Sequence, residues 1–87
     1  MDNLSFNAEI KVHITTEDYL LTGELTAIYA PLEIYLFGLN EDKLIYDMKL
    51  LILDMYDELT NTKDSQLSPK LVEQKKHLLE IITKNPN

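Results

Sequence analysis

The stretch from Asn40 to Asn61, NEDKLIYDMKLLILDMYDELTN, constrains the fold more than any other part of this 87-residue chain. Asn40 is a good N-cap, and the acidic pair that follows it, Glu41 and Asp42, suits the positive end of a helix dipole. Apolar residues then recur every three or four positions, which predicts a helix over 41–59. The core stripe on one face of this helix consists of Ile45, Met48, Ile52, Met55 and Leu59, with Leu44, Leu51 and Tyr56 beside it.

The same helix carries apolar residues away from the core stripe. Tyr46, Leu50 and Leu53 are spaced i, i+4, i+7, and they lie roughly 120–180° from the centre of the stripe. A helix in a two-layer domain buries one face against its neighbour, so this second strip needs another cover. The sequence leaves four possibilities open: the second helix of the domain, another copy of the chain, a different protein, or no cover at all.

Carboxylates flank the second strip on the predicted helix. Asp47, Asp54 and Glu58 fall on one side, with Asp57 nearby, so they form an acidic ridge. Most such ridges are solvated, but one beside an apolar strip also suits a basic partner, or imitates the phosphates of DNA. The candidate protein-binding residues are therefore Tyr46, Leu50, Leu53, Asp47, Asp54, Asp57 and Glu58.

The N-terminal third of the chain alternates as strands do. Apolar and polar residues alternate over 6–15, with Phe6, Ile10 and Ile14 on the apolar face, and a second alternating run covers 19–29. Because the polar sequence TTED separates the two runs, we expect a β-hairpin with one buried face.

The following segment, 32–37, has two interpretations. It is either a third strand or a helical turn opened by Pro31 and closed by Gly38, and its Ile, Tyr and Phe residues favour the strand. Further along the chain, Ser68 before Pro69 is typical of a helix start. The second predicted helix covers 69–83; it buries Leu71, Leu78 and Ile82, with Val72 and Leu79 beside them.

These elements predict an α+β fold, in which a small antiparallel sheet of two or three strands is packed by an antiparallel helix pair. The length of the chain suits one domain over 1–87, and we expect its ends, 1–5 and 84–87, to be frayed. A domain of this size has a modest core, so a partner chain would add to its stability.

The composition excludes several kinds of chemistry. The absence of cysteine rules out disulfides, thiolate catalysis and cysteine-ligated metals. The chain lacks arginine and has a net charge of −7, so we expect no nucleic-acid binding. Its longest apolar run, LLIL, is too short to span a bilayer, and MDNLSFNAEI does not resemble a secretory signal. We therefore expect no membrane insertion and a cytoplasmic location.

No group of residues indicates a catalytic, metal or cofactor site. Glu73, His77 and Glu80 are spaced like ligands on a helix, but they share its polar face, where local ion pairs are the ordinary outcome. With two glycines in the chain, a glycine-rich phosphate loop is excluded, and no nucleophile signature surrounds a serine. The sequence thus predicts neither an enzyme nor a cofactor.

These observations favour a small acidic interaction protein, a regulator or inhibitor that binds another protein. Small regulators from mobile elements and phages often have this size and charge, which is an analogy only. One alternative is a self-assembling, homo-oligomeric subunit such as a homodimer. A second alternative is a DNA-mimic inhibitor that uses the acidic ridge.

Overall fold

The computed structural model describes residues 4–7, 9–16 and 23–85. Their elements, in chain order, are β1 (Leu4–Phe6), β2 (His13–Thr15), β3 (Leu25–Tyr29), β4 (Ile34–Gly38), α1 (Glu41–Thr60), α2 (Pro69–Ile81) and β5 (Ile82–Lys84), with 3₁₀ turns at Ala30–Leu32 and Asp64–Gln66. The predicted α+β class, with two helices and small antiparallel sheets, is confirmed.

The chain divides into two compact units. The three-stranded unit covers Lys11–Leu50 and contains the sheet β2-β3-β4 and the first half of α1. The two-stranded unit combines Met1–Ile10 with Leu51–Asn87, and it contains the sheet β1-β5, the second half of α1, and α2. The single domain over 1–87 stays a prediction.

In the three-stranded unit both strand pairs are antiparallel. Ile14 lies opposite Ala27, and Ala27 lies opposite Leu36, which confirms the predicted pairing of the first two alternating runs. The predicted strand over 19–29 is β3, whose first residue in the structure is Leu25; residues 17–22 lie outside the described residues.

The segment after β3 contains both a turn and a strand. Pro31 lies in the 3₁₀ turn Ala30–Leu32, which ends at Glu33 in the left-handed conformation with φ 55°. β4 then runs over Ile34–Gly38, so the strand prediction for 32–37 is confirmed with a shift of its start. The alternative of a turn closed by Gly38 is wrong, because the chain leaves the turn at Glu33 and becomes extended.

Helix α1 begins as its sequence predicts. The backbone N–H of Lys43 donates to Asn40 Oδ1 at 2.9 Å, which is an N-cap hydrogen bond. Side chains satisfy carbonyls at the other end: Thr60 Oγ1 donates to the carbonyl of Tyr56 at 2.6 Å, and Asn61 Nδ2 to that of Asp57 at 2.8 Å. The helix therefore ends at Thr60, one residue beyond the predicted 41–59.

The buried side of α1 is rotated from the predicted stripe. The buried residues of the helix are Leu44, Met48, Ile52, Tyr56 and Leu59. Leu44 and Tyr56 thus belong to the core rather than to its flanks, whereas Ile45 and Met55 are half-buried. The predicted stripe was correct at its centre, where Met48 is fully buried, and wrong at its edges.

The prediction of one strand over 6–15 is wrong. β1 ends at Phe6, which pairs with Ile82 of β5, and β2 begins at His13 with a different partner strand. Asn7 ends the first ladder: its backbone N–H donates to the carbonyl of Ile81 at 2.8 Å, and its Nδ2 donates to that of Glu80 at 2.7 Å. The alternation itself holds over residues 9–14, since 10, 12 and 14 are half-buried and 9, 11 and 13 are exposed.

Helix α2 ends two residues before the predicted 83. Ser68 Oγ accepts a hydrogen bond from the N–H of Leu71 at 3.3 Å, which confirms the predicted start. At the other end, Ile82 is extended and buried as the first residue of β5. Leu78 is fully buried, but Leu79 is 52% exposed, so its predicted place beside the buried row is wrong.

Frayed ends were predicted at 1–5 and 84–87. Within these ranges Leu4, Ser5 and Lys84 lie in the paired strands β1 and β5, and the fraying of the ends stays a prediction. Asn85 also has a partner, since its Nδ2 donates to Ser5 Oγ at 3.2 Å. Residues 1–3 and 86–87 lie outside the described residues.

Candidate functional site

The predicted second strip is exposed at its N-terminal end. The Tyr46 side chain is 62% exposed and that of Leu50 36%, and both belong to the three-stranded unit. Leu53, in the two-stranded unit, is half-buried. Tyr46 and Leu50 are one helical turn apart, so they form a continuous exposed apolar surface on the first half of α1.

The acidic ridge is less uniform than its sequence indicates. Asp54 and Glu58 are exposed, whereas Asp47 and Asp57 are half-buried. Asp47 Oδ2 accepts a hydrogen bond from Lys43 Nζ at 2.9 Å, which partly offsets the negative charge of that carboxylate. This ion pair weakens the argument for a DNA mimic, which relies on unpaired carboxylates.

Two exposed aromatic residues of β4 were not among the predicted site residues. Tyr35 is 59% exposed and Phe37 63% exposed, and both point away from the face that buries Ile34. In the sequence, Leu32, Ile34 and Leu36 alternate with Glu33, Tyr35 and Phe37, which places these two aromatic residues on the side of the strand opposite Ile34. This alternation did not reveal that Tyr35 and Phe37 are exposed, because exposure depends on the packing of other elements.

A depression of about 360 Å³ lies where β4 leads into α1. Its lining consists of Phe37, Gly38, Leu39, Asn40, Lys43, Leu44 and Asp47. Its apolar side chains are those of Phe37, Leu39 and Leu44, and Leu39 is 74% exposed. The volume is at the small end of the range of ligand pockets, about 300–1,000 Å³.

Helix geometry connects this depression to the exposed strip. At about 100° per residue, Lys43, Tyr46, Asp47 and Leu50 all fall within about 100° of one another on α1. Lys43 and Asp47 line the depression, so Tyr46 and Leu50 continue the same surface along the helix. We call Leu39, Tyr46, Leu50 and the depression the docking patch.

The surroundings of the docking patch are acidic. Glu41 and Asp42 are exposed in the first turn of α1, next to the depression. The three-stranded unit as a whole has three lysines and seven carboxylates. Of the three lysines, Lys43 is already paired with Asp47, so the charge of this unit is mainly negative.

The chemistry available in the depression is limited. Its two charged side chains, Lys43 and Asp47, bind each other, and its remaining side chains are apolar or an amide. In the part of the chain that the structure describes, no group of three histidine or acidic residues could hold a metal ion. Glu73, His77 and Glu80, which are spaced like ligands in the sequence, therefore do not form such a group. The same part of the chain contains no helix long and apolar enough to cross a membrane.

Comparison of the chain with protein-family models, with curated proteins and with solved structures found no match.

Proposed function

We propose that this chain is a small, non-catalytic protein-interaction module that acts in the cytoplasm as a regulator or inhibitor of another protein. The observation that carries the proposal is the exposure of Tyr46 and Leu50 on the helical face that also lines the apolar depression. Exposed aromatic and aliphatic side chains beside a small apolar pocket are typical of binding hot spots.

The partner that fits this surface is a cationic segment with one large apolar side chain. The apolar side chain would enter the depression between Phe37 and Leu39, and a lysine or arginine beside it would meet Glu41 and Asp42. Electrostatic attraction of this kind mainly speeds association, whereas burial of the apolar groups provides most of the affinity.

A non-catalytic role is supported by the lining of the depression. Lys43 and Asp47 are the charged residues of that lining, and Lys43 Nζ lies 2.9 Å from Asp47 Oδ2, so the two charges offset each other. A catalytic base or acid needs a side chain that is directed at the substrate and has a suitable pKa, rather than one held by a neighbour. The cytoplasmic location is supported by the absence of cysteine, which suits a reducing compartment.

The proposal is tested by differential capture. The tagged wild-type chain and the double variant Tyr46→Lys, Leu50→Lys are each incubated with a lysate of the native cell or its host, and bound proteins are quantified by mass spectrometry. The matched control is Leu79→Lys, which changes an exposed leucine of the two-stranded unit. We expect at least one protein that the wild type and the control retain and the double variant loses.

The captured partner is then purified and its affinity measured by calorimetry. Burial of a tyrosine and a leucine at an interface predicts a loss of about two orders of magnitude or more for the double variant. Affinity should also fall as salt is added, because the partner is cationic. Equal binding by all three proteins, or a partner whose binding surface is acidic, would contradict the proposal.

A further inference from the structure

β4 is an edge strand in the described part of the chain. The strand order β2-β3-β4 gives β4 one neighbour, β3, among the described residues. Natural edge strands are usually blocked by lysine, proline or a bulge. β4 has the sequence IYLFG without lysine or proline, and it pairs with β3 residue by residue without a bulge. Its open edge is therefore suited to pairing with another strand.

We propose that β4 pairs with β4 of a second copy of this chain, antiparallel and centred on Leu36. This register joins the two three-stranded sheets into one continuous sheet with a two-fold axis at Leu36. Ile34 of one copy then lies opposite Gly38 of the other. The interface excludes Tyr46 and Leu50 but shares Phe37 with the lining of the depression. The inference rests on the pairing of β4 and does not depend on the proposed function.

The side chains of β4 are self-complementary in this register. Tyr35 of each copy lies opposite Phe37 of the other, so the interface contains two aromatic cross-strand pairs on the outer face of the sheet. In the single chain these rings are 59% and 63% exposed. Aromatic pairs directly opposite each other are among the favourable pairs in antiparallel sheets. A parallel alignment of two identical strands lacks this two-fold symmetry.

The charge pattern is compatible with a second copy although the chain has a net charge of −7. No charged residue occurs between Glu33 and Glu41, so the paired segments are neutral. In the antiparallel register Glu33 lies opposite Leu39 of the other copy. At about 3.4 Å per residue the two Glu33 positions are about 20 Å apart, more than twice the screening length of about 8 Å at physiological salt. Mutual repulsion at this site is therefore weak.

The area of the contact sets the expected strength. A fully buried aromatic side chain covers about 150–250 Å², and here only part of each of four rings becomes covered. The total falls below the roughly 1,200 Å² of a standard interface, which is typical of a weak, reversible dimer. We therefore expect a monomer–dimer equilibrium that shifts with protein concentration rather than a permanent dimer.

The first experiment is sedimentation velocity of the purified chain over a concentration series. The wild type should change from monomer to dimer as its concentration rises, and Tyr35→Lys should raise the dissociation constant by about tenfold or more, because it affects both symmetric pairs. Leu79→Lys is the matched control, since Leu79 is exposed to a similar extent, 52%, and lies in the two-stranded unit. A wild type that stays monomeric at about 1 mM, or equal effects of the two variants, would overturn the proposal.

The second experiment tests the register, and the absence of cysteine from the chain makes it direct. Tyr35→Cys and Phe37→Cys proteins are mixed in equal amounts and oxidised with oxidised glutathione. Positions 35 and 37 lie opposite each other, whereas two copies of position 35 are diagonal neighbours about 7–8 Å apart. Random pairing of the two proteins would make the mixed disulfide half of the cross-linked product, and we expect its share to be larger than half. A statistical mixture, or an excess of either symmetric disulfide, contradicts the register.

Discussion

The α-carbon of Gly38 faces the side chain of Leu44, so a β-carbon at position 38 would lie 3.1 Å from Leu44 Cδ2. Gly38 is the last residue of β4, and Leu44 is a buried residue in the first turns of α1. The glycine therefore leaves room for the Leu44 side chain, and its backbone is not left-handed. This close approach brings the end of the strand to the helix and shapes one wall of the depression.

Replacing Gly38 with alanine should destabilise the protein by about 1–2 kcal/mol, because the new methyl group displaces a packed leucine. Urea unfolding followed by circular dichroism measures the loss. In a Leu44→Ala background the same change should cost much less, since the space is already empty. Additive costs in this double-mutant cycle would show that Gly38 and Leu44 are not in contact.

Lys75 connects α2 to the segment after α1. Its side chain is 17% exposed, and its Nζ donates to the carbonyl of Thr62 at 3.0 Å and to Asp64 Oδ1 at 2.8 Å. Lys75→Met keeps most of the apolar stem and removes both hydrogen bonds, so we expect a loss of about 1–3 kcal/mol in urea unfolding. Asp64→Asn should cost less than about 1 kcal/mol, because that carboxylate is 67% exposed. If the two variants lose the same free energy of unfolding, the ion pair alone accounts for the contribution of Lys75 to stability.

Burial of Tyr29 raises the pKa of its hydroxyl above the usual 10.0, since the phenolate would lose its hydration. The folded chain therefore keeps this proton at a pH where the unfolded chain releases it. The contribution of Tyr29 to stability is fully present below about pH 10 and decreases as the pH rises through the folded pKa. The free energy of unfolding, measured in urea from about pH 8 to 11, should fall less steeply with pH in Tyr29→Phe. Equal slopes in the two proteins would contradict this.

The elements that the sequence predicted well are those with local signals. Asn40 and the periodicity after it define α1 to within one residue, and Ser68 with Pro69 defines the start of α2. Both signals operate within one or two turns of helix, so they do not depend on the rest of the fold. The alternation that became β3 and β4 is local in the same sense.

The elements that the sequence missed depend on distant partners. Ile82 follows Leu78 at helical spacing, and nothing nearby ends the helix there. It becomes extended in β5 because Phe6, at the opposite end of the chain, offers a strand to pair with. The edge of the core stripe of α1 also depends on a neighbouring element, since Leu44 is buried where Gly38 of β4 leaves room for it.

The candidate site was predicted in part. The spacing of Tyr46 and Leu50 identified the exposed face of α1, because side chains opposite a core stripe have no cover within a two-layer fold. The contribution of Leu39 and Phe37 was missed, since the depression depends on the path of the chain between β4 and α1. Tertiary geometry of this kind is not encoded in periodicity.

Substitutions on the two sides of α1 should have opposite outcomes. Ile52 is fully buried, so Ile52→Asp places a charge in the core at a cost of several kcal/mol, which is comparable to the total stability of a small domain. Leu50→Asp changes a neighbouring residue on the exposed side and should cost less than about 1 kcal/mol. Circular dichroism should show an unfolded Ile52→Asp variant and a Leu50→Asp variant that melts near the wild-type temperature. Because both variants add one carboxylate to the same helix, their difference reports burial rather than charge.

An Ile52→Asp protein with the wild-type melting temperature would mean that the buried side of α1 has been assigned incorrectly. A Leu50→Asp protein that unfolds would instead place the second strip in the core and remove the main support for a docking patch.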